Sequence, residues 1–204
     1  MDAALRAGIA LYNAGHYRIT HDAWEAPWIG MGSRQEPKDF LQGLIQFTVA
    51  IHHATVENES GARKLAKRAR SYLEEYPDDY RGVDLVPVRE YLAALEADPS
   101  HVEAQDPPRL THHGDVIELS DLDFAETTLA AEAIAEVEGD EEVLDAAIEY
   151  AEADLEAGDE GSQFITFVFD YVRSPADRAI IRQRLGEHVD RRQGREADVD
   201  GLFE

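Results

Sequence analysis

The sequence has no cysteine, very little lysine and no long apolar run, and each of these absences excludes a class of function. Without cysteine the chain forms no disulfide, no thiolate metal site and no cysteine nucleophile. Lysine occurs only at positions 38, 64 and 67, and a chain so poor in basic clusters is not expected to bind a nucleic-acid backbone. No segment approaches the about 20 apolar residues that cross a bilayer, and no signal-peptide pattern opens the chain. The sequence therefore predicts a cytoplasmic protein without a membrane partner.

Acidic residues are what the sequence has in excess. The chain carries 43 Asp and Glu against 19 Lys and Arg, which gives a formal net charge of −24. The acids are spread along periodic apolar segments, which argues against a disordered acidic tail, and no D-x-[DN]-x-[DN]-G calcium loop is present. In molar salt the Debye length shrinks to about 3 Å, so repulsion among these charges is screened. The composition predicts a salt-adapted protein of the haloarchaeal type, with potassium or sodium ions as surface counterions.

Hydrophobic periodicity predicts an all-α fold that begins with an N-terminal bundle of about five helices, residues 1–98. The helices are expected over residues 2–14, 17–28, 37–56, 61–76 and 85–97. The third of them is apolar nearly all round, which indicates a central buried helix. Ser60 is expected to cap the fourth helix.

A C-terminal helical subdomain is predicted after a connecting segment. Residues 99–120 begin rich in proline and acid and are expected to be a linker, with a short hairpin around His113-Gly114-Asp115. The acidic helical subdomain covers residues 121–193, with Asp121 and Asp140 as N-terminal caps, and residues 194–204 are expected to be a frayed tail. Its helices are expected over residues 122–137, 141–157, 162–172 and 175–192.

The second predicted helix carries polar side chains beside two tryptophans. His21 and Glu25 are four residues apart and therefore lie on one helical face. Trp24 and Trp28 lie next to them and are expected to form apolar walls.

The third predicted helix carries polar side chains on an otherwise apolar surface. Gln42, Gln46 and His53 form one stripe, and His52 lies on the neighbouring stripe. Buried amides and imidazoles need hydrogen-bond partners, and the second helix is expected to supply them. Gly43 is expected to let the second and third helices approach closely.

The pattern N-x-G-x-Y-x-x-x-H-[DE]-x-W-E-x-x-W over residues 13–28 resembles the signature of the family called domain of unknown function 309. The continuation through Phe40–Gln46, His52, Asn58 and Gly61-Ala62 fits as well, so the resemblance covers residues 5–95, approximately. It implies a small all-helical bundle and no established activity.

By the pattern of that family, the matching positions are His21, Glu25, Trp28 and His52. Asp22 stands where the family usually has Glu, which puts a role for this carboxylate in doubt.

Three hypotheses remain open for these polar residues. In the first, His21, Glu25 and His52 are the ligands of a divalent transition metal, as in many zinc and non-haem iron centres. In the second, Glu25 beside His21 is the general base of a metal-free enzyme, although no nucleophile or phosphate-loop motif accompanies it. In the third, a buried polar network of His21, Glu25, Gln46 and His52 only orders the helices, with the tryptophans as core.

The third hypothesis predicts a structural or interaction module, and it is the preferred one. The alternative is an enzyme that acts on a small molecule, either metal-dependent or with a general base. In either form of the enzyme, a surrounding shell of pocket residues is expected: Asp22, Trp24, Trp28, Gln42, Gln46 and His53. Solvent access separates the two classes, because a sealed and mutually bonded set favours the network and a solvent-reachable pocket favours the enzyme.

One basic run interrupts the acidic composition, at residues 63–70. Its Arg and Lys are spaced three and four apart, which is typical of a solvated helix face paired with neighbouring acids. A phosphate or RNA contact is the alternative. The sequence leaves the oligomeric state open, a homo-oligomer included.

Overall fold

A computed structural model describes residues 1–30 and 36–200, apart from the side chains of residues 26, 27, 36, 37, 199 and 200. Within these ranges the chain forms ten α-helices and two hairpins of very short strands, which confirms the all-α prediction. The chain divides into two units, residues 1–122 and 123–204. No helix in the described ranges combines the length and the apolar character that crossing a membrane requires.

The first unit is built around one long apolar helix. The helices are α1 (Asp2–Asn13), α2 (Tyr17–Gly30), α3 (Glu36–Thr55), α4 (Glu59–Leu73), α5 (Val86–Ala97) and the short α6 (His101–Ala104). Helix α3 packs against α2, α4 and α5, and Phe40, Leu44 and Phe47 on it are almost completely buried. The prediction of a central buried third helix is therefore confirmed.

Helix α4 begins at Glu59, two residues earlier than a Ser60 cap allows. The Asn58 side-chain oxygen accepts a hydrogen bond from the Gly61 backbone N–H at 3.1 Å, which makes Asn58 the N-terminal cap. The Ser60 hydroxyl donates to that same oxygen at 3.3 Å. The prediction of a Ser60 cap is therefore wrong, because a second capping residue lies two positions upstream.

Residues 99–122 belong to the first unit, although the sequence predicts a linker over most of them. The Asn13 side-chain amide on α1 donates to the carbonyls of Leu110 and Ile117, each at 2.9 Å, and accepts from the Leu110 N–H at 2.8 Å. The Tyr12 hydroxyl donates to the Pro108 carbonyl at 2.9 Å. The backbone of this irregular segment thus has hydrogen-bond partners on α1. The proline-rich and acidic composition of the segment does not predict them.

Two hairpins of two-residue strands complete the first unit. The hairpin predicted around residues 113–115 is present: β3 (Thr111–His112) pairs antiparallel with β4 (Asp115–Val116). Another, β1 (Asp79–Tyr80) with β2 (Val83–Asp84), lies between α4 and α5 and was not predicted. The His113 N–H donates to the Gly82 carbonyl at 2.7 Å, so the two turns are hydrogen-bonded to each other.

The second unit contains four helices, α7 (Phe124–Glu138), α8 (Glu141–Glu156), α9 (Gln163–Arg173) and α10 (Arg178–Asp200). The predicted cap position is wrong for α7 and correct for α8, where Asp140 is the N-cap residue without a side-chain capping bond. Asp123, not Asp121, caps α7 in a reciprocal capping box with Glu126. Asp140 precedes α8, but its carboxylate accepts from the Tyr171 hydroxyl at 3.0 Å instead of capping the helix.

The chain is helical well beyond residue 194, where a frayed tail is predicted. Helix α10 continues to Asp200, and residues 201–204 lie outside the described part. Arg192 of α10 forms an ion pair with Asp154 of α8, and Glu196 accepts from the Tyr150 hydroxyl at 2.9 Å. These contacts between helices stabilise a helical end that local sequence patterns do not predict.

Candidate metal centre

Trp24 fixes how α2 lies against α1. Its indole ring is fully buried, and the indole N–H donates to the Ala4 carbonyl at 3.1 Å. The ring lies so close to Gly8 that a Cβ atom there would be 2.0 Å from the indole nitrogen. Trp24 therefore packs between two helices, whereas the sequence predicts that it forms the wall of a pocket.

A different face of α2 carries three polar side chains that converge. The His21 Nδ1 atom lies 2.8 Å from a carboxylate oxygen of Asp22 and 3.8 Å from one of Glu25. One potential ligand atom from each residue lies within 4.8 Å of the other two. The side chains are 32%, 21% and 44% exposed in the order His21, Asp22 and Glu25, so solvent reaches the cluster.

His52 lies apart from this cluster, although the sequence groups it with His21 and Glu25. It lines a separate groove of about 410 Å³ together with His16 and Thr55, near the turn between α1 and α2. The spacing of residues along α3 does not determine which neighbour each stripe faces. Asp22, whose role the family pattern leaves in doubt, occupies the third position of the cluster instead.

His53 contributes to the start of α4. Its Nδ1 atom accepts a hydrogen bond from the Asn58 side-chain amide at 2.9 Å, while the Asn58 oxygen caps the helix. A half-buried imidazole thereby positions the capping residue. His53 therefore has a structural contact, whereas the sequence predicts it in the shell of a pocket.

Trp28 and the α3 glutamines are half-buried, and two of their polar atoms are unusual. The Lys38 ammonium lies 4.2 Å from the centre of a Trp28 ring, a cation–π contact. Among the described residues, neither the Trp28 indole nitrogen nor the Gln46 side-chain oxygen has a hydrogen-bond partner, although both atoms are buried. Gln42 lies one turn before Gln46 on the same helix. Buried polar atoms without partners are rare and costly, and a satisfied network would predict a protein partner for each of these two atoms.

A cluster of tyrosines packs against the other side of α3. Burial raises the pKa of Tyr12, and the neighbouring Tyr17 and Tyr91 raise it further. Burial likewise raises the pKa of Tyr91 to about 12. The Tyr91 hydroxyl donates to the Gln105 carbonyl at 3.0 Å, and Tyr12 donates to Pro108. These phenols stay neutral and hold the segment after α5 in place.

The fold and the cluster together define an all-α protein with a solvent-accessible His/Asp/Glu group on its second helix. Residues 5–65 match the family described as "Domain of unknown function (DUF309)", which supports the resemblance seen in the sequence over that range. The match contains the complete cluster and ends within α4.

A bacterial relative is similar over part of its length. A protein of Aquifex aeolicus (strain VF5), named "Uncharacterized protein", is 28% identical to this chain over 102 residues. The similar region covers 50% of this chain and 29% of that protein, so the chain spans less than a third of its relative. The comparisons support a family and give no activity.

Proposed function

We propose that the first unit is a metal-binding module in which His21, Asp22 and Glu25 hold one divalent transition-metal ion. The observation that supports the proposal is the convergence of three ligand atoms within 4.8 Å on a solvent-accessible face of α2. Two ligands bound to one ion at about 2.1 Å are about 3.0–3.4 Å apart. The distances of 2.8 and 3.8 Å from His21 Nδ1 to the two carboxylates bracket that range, so small side-chain rotations would suffice.

The ligand types select the class of metal. An imidazole with two carboxylates suits manganese, iron or zinc, whereas calcium and magnesium prefer oxygen ligands alone. Three protein ligands leave coordination positions open for water or a small substrate. A bound ion there would act as a Lewis acid or would lower the pKa of a bound water, which is the chemistry of a metal-dependent hydrolase.

A structural or interaction module is the second candidate, and Trp24 and His53 favour it. Both use their polar atoms in contacts between or at the ends of helices. The cluster on α2 differs from them, because its side chains are 21–44% exposed. Among the described residues, the ion pairs of this cluster lie within α2. A solvated group of this kind contributes little to helix register, so we prefer the metal-binding function.

Elemental analysis of the full chain, purified in molar KCl without chelator, tests the proposal. We expect about one equivalent of a first-row metal in the wild type after reloading with Mn²⁺ or Zn²⁺. His21→Gln and Glu25→Gln are expected to lose it, because each removes a ligand.

His52→Gln is the matched control, since it removes an imidazole from the same unit outside the cluster. It is expected to keep the metal. Equal metal content in the wild type and in His21→Gln, with both folded by circular dichroism, would refute the proposed site and favour the structural candidate.

A further inference from the structure

A groove between α3 and α4 gathers basic side chains in a strongly acidic protein. Lys64, Lys67 and Arg68 line it together with Ser71 and Tyr72 of α4, and Gln46 of α3 contributes from the opposite side. The α4 residues follow the spacing i, i+3, i+4, i+7 and i+8, so they share one helix face. The groove has a volume of about 760 Å³.

The basic run on α4 divides into paired and unpaired residues. Arg63 donates to the carbonyls of Glu96 and Ala97 at the end of α5, and Arg70 forms ion pairs with Glu74 and Glu96. Arg70 is paired with neighbouring acids, as the sequence predicts, whereas the partners of Arg63 are backbone carbonyls.

The groove cations behave differently. Within residues 1–30 and 36–200, the side chains of Lys64, Lys67 and Arg68 form no ion pair and no hydrogen bond. In a chain with 43 acidic residues and a net charge of −24, carboxylates are abundant everywhere else. Three unpaired cations on one face therefore make a local positive potential, which attracts an anion.

The α3 side of the groove carries the Gln46 side-chain amide. The Gln46 side-chain oxygen is buried and has no partner in the described part of the chain. An acceptor left in this state costs free energy that a ligand donor would recover. Because this oxygen is buried, the Gln46 amide must rotate towards the groove for a ligand hydroxyl or amine to donate to it.

Tight packing beneath the groove holds its two sides in a fixed position. Gly43 of α3 lies so close to α4 that a Cβ atom there would be 2.6 Å from a Leu73 methyl and 3.2 Å from the Tyr72 Cβ. On α4, Ala62, Ala66 and Ala69 are completely buried. Small residues at this contact let the helices approach closely, so the groove is largely preformed.

We propose that this groove binds a small organic phosphate, with the phosphate on Lys64, Lys67 and Arg68 and a ligand hydroxyl or amine on Gln46. The volume falls within the about 300–1,000 Å³ of small-molecule sites, which leaves room for an organic part beside the phosphate. The cations occupy only about two helical turns, which is too short a basic surface for the many phosphate contacts that a nucleic acid makes. None of the metal ligands on α2 takes part, and the two sites are independent proposals.

Titration of the ¹⁵N-labelled full chain in molar KCl tests this inference by NMR. The probes are ribose 5-phosphate, inorganic phosphate and a uridine dodecanucleotide. We expect ribose 5-phosphate to shift the Gln46 side-chain amide and the backbone amides of residues 64–72, and to bind more tightly than inorganic phosphate.

Three variants assign the contacts. Lys67→Gln removes one charge-assisted contact and is expected to weaken ribose 5-phosphate binding by about tenfold. Gln46→Glu places a carboxylate of the same shape in the groove and is expected to weaken binding by at least the same factor. Arg195→Gln, at an exposed position of α10, is the charge-matched control and is expected to leave the affinity unchanged.

Each contrary outcome overturns the proposal. Affinity that is equal in Lys67→Gln, Gln46→Glu and the control would show that the groove is not the site. Inorganic phosphate binding as tightly as ribose 5-phosphate would exclude an organic ligand. Tighter binding of the oligonucleotide would assign the groove to a nucleic acid instead. Circular dichroism in the same buffer confirms that each variant is folded.

Discussion

The contact between Gly8 and Trp24 predicts an unusual response to a glycine-to-alanine change. In the interior of a helix, replacing Gly by Ala ordinarily stabilises by about 1 kcal/mol, because alanine has the higher helix propensity. At Gly8 the added methyl would lie 2.0 Å from the Trp24 indole nitrogen and 2.3 Å from an adjacent ring carbon. We therefore expect Gly8→Ala to destabilise the protein.

The magnitude follows from what the indole must give up. Carbon atoms in contact lie about 3.5–4.0 Å apart, so the ring must move by about 1.5 Å inside a fully buried site. Overpacking of this kind costs about 1–3 kcal/mol, and loss of the hydrogen bond from Trp24 to Ala4 costs about 1 kcal/mol more. After the propensity gain is subtracted, the free energy of unfolding should fall by about 1–3 kcal/mol.

Urea unfolding in molar KCl, followed by tryptophan fluorescence and circular dichroism, measures this change. Gly194→Ala is the control, since it lies in α10 with no described atom within 4 Å of its would-be Cβ, and it should stabilise by up to about 1 kcal/mol. The penalty at Gly8 should shrink in a Trp24→Phe background, because the two residues are in contact. Equal stabilisation by Gly8→Ala and Gly194→Ala would refute the packing argument.

Two further predictions concern solution conditions. The net charge of −24 predicts that the helical circular-dichroism signal falls in dilute buffer and returns in molar KCl, and full helicity at low salt would contradict the salt adaptation. Because burial raises the pKa of Tyr91 from 10.0 to about 12, the folded protein retains a proton that the unfolded chain loses above pH 10. The free energy of unfolding should therefore be independent of this group below pH 10 and should fall as the pH rises towards 12. Tyr91→Phe should reduce that slope, and an unchanged slope in alkaline urea titrations would argue against Tyr91 as its source.

The helices could be predicted from the sequence because their signals are local. Apolar side chains at helical spacing and glycines at the ends place most helices within two or three residues of their positions in the structure. Caps are less predictable, because Asn58 and Ser60 are both good capping residues two positions apart. The packing of residues 99–122 on Asn13 depends on contacts about a hundred residues apart in sequence, and composition does not encode them.

The candidate site, like the fold, could be predicted from the sequence only in part. His21 and Glu25 are four residues apart on one helix, so their proximity follows from spacing alone. The contact of Asp22 with His21 does not, because adjacent helical residues do not share a face. His52 requires knowledge of how α3 is rotated against α2. Gly43 shows why this could not be predicted: the sequence suggests a close approach to α2, whereas the structure places Gly43 against Tyr72 and Leu73 of α4. A helix that is apolar nearly all round carries no periodic signal for which neighbour each face meets.

The polar side chains of helix α3 fall into two groups, according to whether their polar atoms have hydrogen-bond partners. The Thr48 hydroxyl donates to the Ile45 carbonyl, and His53 accepts from Asn58, so these groups are satisfied within the helices. Gln46 is different, because its buried oxygen has no partner in the described residues and its side chain lines a groove of unpaired cations. A side chain that serves packing alone is usually either apolar or satisfied, since an unpaired buried acceptor destabilises the fold. The polar character of Gln46 is therefore consistent with the proposed ligand, and the titration of Gln46→Glu tests this explanation.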